Sequence, residues 1–160
     1  MERPIPDELA AFLESGLAIV VGTRDAALRP DGAAALAVRV HADRAHVTLF
    51  VSDASAAHLA RSLAESPRIA VVLDLPSTHR ACQLKGTVRS VRPAADAERP
   101  EIDRQREALY RDLESIGIPS AMFAQWRVWP SMALEIEVQA LYEQTPGPGA
   151  GDRLQGVAPR

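Results

Sequence analysis

The chain has 160 residues and a mass of 17.3 kDa, the size of one domain, with 47% apolar and 24% charged residues. That apolar content excludes disorder over the whole length, and a formal charge of -3 with no dense Lys/Arg run excludes nucleic-acid binding through a broad basic surface. Cys82 stands alone, which excludes an internal disulfide and a multi-cysteine metal site, and no apolar run approaches the ~18 residues of a membrane helix.

Met1-Glu2-Arg3-Pro4-Ile5-Pro6 lacks the basic segment and apolar run of a signal peptide, so the expected setting is a reduced cytoplasm. A short helix follows, with Leu9, Phe12 and Leu13 on one face and Gly16 as its C-terminal glycine. Leu17 to Thr23 is apolar on both faces and reads as a buried strand; Arg29-Pro30-Asp31-Gly32 reads as a turn. From Ala33 to His41 the period is two: Leu36, Val38 and Val40 on one face, and a row of Ala33, Ala35, Ala37 and Arg39 on the other. Ala45 to Val51 is the returning strand, and the short link Ala42-Asp43-Arg44 makes the pair antiparallel.

Ser55 to Glu65 reads as a helix stopped by Ser66-Pro67, and Arg68 to Leu75 as a strand. Arg80 to Val91 is a long strand with Gly86 as a bulge or point of close approach. Pro100 opens a helix that ends near Gly117, Pro119 starts a short helical segment, and Met132 to Tyr142 alternates as the last strand. The expected fold is mostly β (α+β): a six-stranded antiparallel split or half-closed barrel with flanking helices. Residues 1–143 form its single domain, and 144–160 a Gly/Pro-rich, loosely ordered tail.

Several chemistries have no support. There is no Gly-x-Ser-x-Gly elbow and no P-loop, and Gly147, Gly149 and Gly151 have no helix after them to receive a phosphate. His41, His46, His58 and His79 form no ligand pattern, so no metal is expected; Cys82 reads as a small buried hydrophobe. Three segments can carry binding. In Phe50-Val51-Ser52-Asp53-Ala54-Ser55 a strand runs into a helix, whose free N–H groups suit an anion, although Ser and Asp there are also ordinary caps. Arg39 ends the small-residue row, where it can hold an anion or join a surface pair. Gln83 and Lys85 share one strand face, which is either directed at a ligand or simply solvated.

Taken in order, "LESGLAIVVG", Arg29-Pro30, "HVTLFVSDAS", "LARSLAESPRIAVVL" and "CQLKGTV" followed by a long helix resemble the pyridoxamine 5'-phosphate oxidase-like, FMN-binding split-barrel family. The resemblance covers about Pro6 to Tyr142 and rests on the ordered set, its most telling part being the helix that ends in Ser66-Pro67 before an apolar strand. It implies a homodimer with FMN in two equivalent grooves at the interface and a small-molecule substrate. It puts Arg39, Val40, Phe50, Val51, Ser52 and Ser55 to His58 near the phosphate. Arg80, Gln83 and Lys85 would face flavin or substrate, and Trp126 and Trp129 lie where relatives reach toward the partner.

The sequence departs from that pattern in ways that matter. The Arg-Lys pair usual at the start of the helix is missing; only His58, or Arg61 one turn later, stands in for it. Asp53 adds a like charge beside the phosphate, and Ala81 rather than Gln83 aligns with the usual strand glutamine. The C-terminal Arg and His of true pyridoxamine phosphate oxidases are not visible. The resemblance therefore implies an FMN-dependent oxidoreductase of another substrate. A non-catalytic binding module, a deazaflavin enzyme and a haem-handling relative are the alternatives.

Overall fold

The structure is a computed structural model and describes residues 5–154. Its element order is α1 (Asp7–Leu13), β1 (Ala18–Arg24), β2 (Pro30–Ala35), β3 (Ala37–Val40), β4 (His46–Ser52), α2 (Asp53–Glu65), β5 (Arg68–Leu75), β6 (Arg80–Pro93), α3 (Arg99–Ser115) and β7 (Ser131–Glu143), with short 3-10 turns at Asp96–Glu98 and Ser120–Phe123. All strand pairs are antiparallel, in the order β2-β1-β5-β6-β7-β4-β3. The two ends of that order, β2 and β3, are joined through the single residue Leu36, so the sheet curls into a barrel.

That junction corrects the expected strand count. The stretch read as one strand from Ala33 to His41 breaks at Leu36, giving seven strands rather than six. Its first half pairs with β1 and its second half with β4. The break shifts the alternation by one residue, which exchanges faces. Ala33 and Ala35 lean on the main core, but beyond the break Val38 and Val40 do so, while Ala37 joins a second cluster. The expected row of Ala33, Ala35, Ala37 and Arg39 therefore does not lie on one face.

Two other expectations change. Pro30-Asp31-Gly32 belongs to β2; the turn lies earlier, at Asp25–Arg29, where Leu28 takes a positive φ of 65° and Asp25 accepts the backbone N–H of Arg29 at 2.9 Å. And β1 is buried on one face only: Ile19 and Val21 are in the core, whereas Val20 is 60% exposed. Gly86 does mark a register shift between β6 and β7, and a Cβ there would sit 2.3 Å from the Glu137 carbonyl oxygen.

The main core fills the barrel with Leu49, Val51, Leu73, Leu84, Leu134 and Ile136 among others. Cys82 belongs to it, and burial pushes its thiol up to about 12, the state of an inert core side chain. At the Ser52 end of β4, α2 covers the barrel mouth with Leu59 and Ser62; at the Val47 end, α1 packs Phe12 and Leu13 inward. The open edge of β3 is closed by side chains: Glu14 accepts the Val40 N–H at 2.6 Å, and Gln105 of α3 brackets Val38, accepting its N–H at 3.1 Å and donating to its carbonyl at 2.7 Å. Gly16 lets α1 end directly against α3, since a Cβ there would lie 2.5 Å from the Gln105 carbonyl oxygen. After β7 the chain turns back, and Leu154 N–H donates to Leu141 O; the rest of the expected tail, 155–160, lies outside the described residues. No helix among the described residues is long and apolar enough to cross a membrane.

Candidate functional site

Two groups of the residues singled out from the sequence lie at opposite ends of β7. Ser52 and Ser55 stand at the α2 end of β4, where Ser52 pairs with Ser131, the first residue of β7. Gln83 and Lys85 pair with Tyr142 and Ala140 near the other end of β7. Ser131 to Tyr142 is roughly 35 Å of strand. One chain keeps the two groups apart.

At the first group, Ser52 caps α2 and its Oγ accepts the Ser55 N–H at 3.1 Å. Asp53 N–H donates to Pro130 O at 3.2 Å, and Ala54 N–H to the Asp53 carboxylate at 2.8 Å. The first three amides of the helix are thus engaged by the chain itself, and Asp53 also meets Arg127 at 3.5 Å. Phe50 and Val51 are fully buried. Val51 lies in the main core, and Phe50 in the second cluster under Ile102 of α3, beside Trp129. Val40 packs against the main core. Trp126 is half exposed and meets Phe123 edge to face, 5.0 Å between centroids.

Arg39 is engaged by a network that sequence reading missed. Glu98, 9% exposed, accepts from Arg39 at 2.8 Å, from Arg92 with both oxygens at 2.8 and 2.9 Å, and from Ala95 N–H at 2.8 Å. Arg92 continues to Glu135 at 3.0 Å, and Glu135 accepts from Thr48 at 2.8 Å, with His41 beside both. The Arg92 guanidinium, above all, holds the Glu98 carboxyl down at about 2. No spacing rule signals this set, because its members come from β3, β4, β6, β7 and the turn before α3.

His58 lies on the outer side of α2 and meets Asp31 of β2 at 2.6 Å. The two face a cleft of about 310 Å³ between the β1–β2 hairpin and α2, with Arg29, Arg61 and Ser62 in its walls. A second, apolar groove of about 330 Å³ runs between α2 and β6, past Ala56, Ala60, Leu63 and Val88. Among the described residues no group of three or more His, Cys, Asp and Glu could hold a metal ion.

At the second group, Lys85 lies over the Tyr142 ring at 4.9 Å, and Arg80 over Phe12 at 4.2 Å. Gln83 and Lys85 border the outer face of β2, β1, β5 and β6. Registered across it are Gly32, Gly22, Ala70 and Lys85 in one row and Ala34, Val20, Val72 and Gln83 in the next. Away from Gln83 and Lys85 the face is built of small or short apolar residues, and Val20, Gly22, Gly32 and Ala34 are exposed.

Known structures match this architecture. An F420 reductase superposes with a TM-score of 0.58 at 12% identity, over 86% of this chain and 98% of its own. A pyridoxamine 5'-phosphate oxidase-type protein from Lactobacillus delbrueckii gives 0.52 at 14% identity, over 88% and 94%. A general stress protein 26 relative from Clostridium acetobutylicum, of the pyridoxinephosphate oxidase family, gives 0.50 at 16%, over 86% and 87%. The chain has the pyridoxamine 5'-phosphate oxidase-like split-barrel fold. No protein-family model matches the sequence, and no curated protein is similar to it in sequence.

Proposed function

We propose that this split-barrel protein binds FMN as a homodimer and acts as an oxidoreductase on a small substrate other than pyridoxamine phosphate. One observation carries the reading: the two groups of polar residues lie at opposite ends of β7, and an uncovered face of small residues adjoins the second. Two copies docked through Val20, Gly22, Gly32 and Ala34 would bring Gln83 and Lys85 of one chain toward the α2 end of the other. The family resemblance, which implies FMN at a dimer interface, supports a cofactor between subunits, and the fold shared with pyridoxamine 5'-phosphate oxidase-type proteins agrees with that resemblance.

The donor set suits such a cofactor. Near α2 the Arg29 and Arg61 guanidiniums and the His58 imidazole can meet a phosphate, and Lys85 from a second copy can balance negative charge on a reduced ring. FMN, when bound, supplies the redox chemistry. The chain's residues bind and orient it, and Trp126, half exposed on the segment after α3, can screen the site from water. A deazaflavin is the second reading, favoured by the likeness to an F420 reductase.

The test is a visible spectrum of the protein after FMN is added and the excess removed, with size-exclusion chromatography beside it. A retained, shifted flavin band at the mass of two chains is expected. A colourless monomer overturns the reading; binding of a deazaflavin in place of FMN selects the second.

A further inference from the structure

We infer that the cleft between the β1–β2 hairpin and α2 is a phosphate subsite in which Arg29 and Arg61 replace the Arg-Lys pair that this helix start lacks. The inference rests on the flavin reading for the identity of the ligand, but the site itself is argued from this chain alone.

The helix start is the obvious place for an anion, and it is spent: Pro130 O, the Asp53 carboxylate and Ser52 Oγ take the amides of Asp53, Ala54 and Ser55. The Asp53 charge would also repel a dianion there. One to two turns further along α2 the balance changes. Arg61 is 71% exposed, and its approach to Asp25, 3.7 Å, is too long for a hydrogen bond, so its donors are open. Arg29, 66% exposed, gives its Nε to Asp25 at 2.6 Å and keeps its two terminal amino groups for the cleft.

Of the carboxylates in the cleft, Asp25 is the one covered by arginine. Asp25 is buried beneath Arg29, whose backbone N–H, above all, holds its carboxyl below the usual range. Asp31 is held by His58. Below them Ser62 donates to Leu59 O at 3.0 Å and shares a 2.7 Å contact with Thr23, so both hydroxyls are engaged within the chain. The walls are also fixed in place. Glu65 accepts the Ala26 N–H at 3.0 Å, which ties the hairpin tip to α2 independently of the ligand donors.

Geometry selects the class of anion. Arg29 and Arg61 come from opposite walls, and a tetrahedral phosphate monoester offers them three terminal oxygens and up to two negative charges, against the two oxygens and single charge of a carboxylate. His58 adds a third donor when Asp31 yields it. The cleft thus gathers from the hairpin and the third turn of α2 two cationic donors in place of a helix-start Arg-Lys pair.

The test compares FMN with riboflavin, which lacks the phosphate, by flavin fluorescence quenching on wild type, Arg29→Gln and Arg61→Gln, with the melting temperature of each variant as a folding control. The expected result is an FMN preference in wild type that falls about tenfold in Arg61→Gln while riboflavin affinity stays unchanged. Equal affinity for the two flavins in wild type, or a preference intact in both folded variants, overturns the subsite. If neither flavin binds, the flavin reading falls and the cleft is probed with inorganic phosphate by amide NMR. Saturable shifts at His58 and Arg61 that vanish in Arg61→Gln uphold the subsite; their absence overturns it.

Discussion

Two regions of this barrel each set a pair of arginines against a pair of carboxylates, and they are built for opposite ends. Around Glu98 the arginines are Arg39 and Arg92 and the second carboxylate is Glu135; in the hairpin–helix cleft they are Arg29 and Arg61 with Asp25 and Asp31. In the first, the Glu98 side chain is 10% exposed and receives four hydrogen bonds, and the arginine side chains are 38% and 39% exposed. In the second, the arginine side chains are 66% and 71% exposed, and one makes no approach shorter than 3.7 Å to Asp25. The lesson is that charge count does not separate a clamp from a binding site. What separates them is whether the donors are already spent.

The clamp ought to dominate stability. Glu98 fastens the turn before α3 to β3 and β6, so Glu98→Ala strips two arginines of their shared acceptor and leaves Ala95 N–H unpaired. A loss of about 2 kcal/mol is expected, allowing for the partly solvated guanidiniums. Arg61→Gln should cost less than about 0.5 kcal/mol, the scale of an exposed pair. Urea midpoints of the two variants check the contrast, and equal midpoints would erase it.

Acid should dissolve the same contrast. The Glu98 carboxyl is held at about 2, below the roughly 4.3 of an unfolded glutamate. Its folded form is the weaker proton binder, so its contribution is complete above the unfolded value and drains away as pH falls toward about 2. The stability gap between wild type and Glu98→Gln should therefore be constant near neutrality and close across that acid window. A gap that persists at pH 2 would mean that Glu98 acts through packing and not through its charge.

The two regions also differ in how far the sequence foretold them. Alternation and short links made the strands legible: Arg68–Leu75 appears with the expected bounds, and β4 and β6 nearly so. Gly86 was readable as a bulge because a glycine inside a strand pattern has few other uses. The break at Leu36 was not readable, since a residue that bends a strand from one pair to another keeps the same apolar character. Phe50 was placed near the phosphate by the resemblance alone; its burial with Ile102 and Trp129 was not readable, because those partners come from distant segments. Arg29 looked like part of a turn, and Asp25 gave no signal; their meeting with Arg61 depends on where α2 crosses the hairpin, which no local pattern encodes.

The smallest effect tests the cleft most sharply. Asp31 holds His58 at 2.6 Å and contributes the negative charge least covered by arginine. In Asp31→Asn the histidine loses its carboxylate partner, and a phosphate arriving between Arg29 and Arg61 meets one acidic group fewer. FMN affinity should rise about fivefold while riboflavin affinity and urea midpoint stay within error, because the pair is partly solvated and costs little to remove. The increase should shrink in high salt, as expected for an exposed charge acting through solvent. A fall in FMN affinity would instead assign Asp31 the task of orienting His58 toward the anion, and the cleft would then depend on a positioned histidine more than on its two arginines.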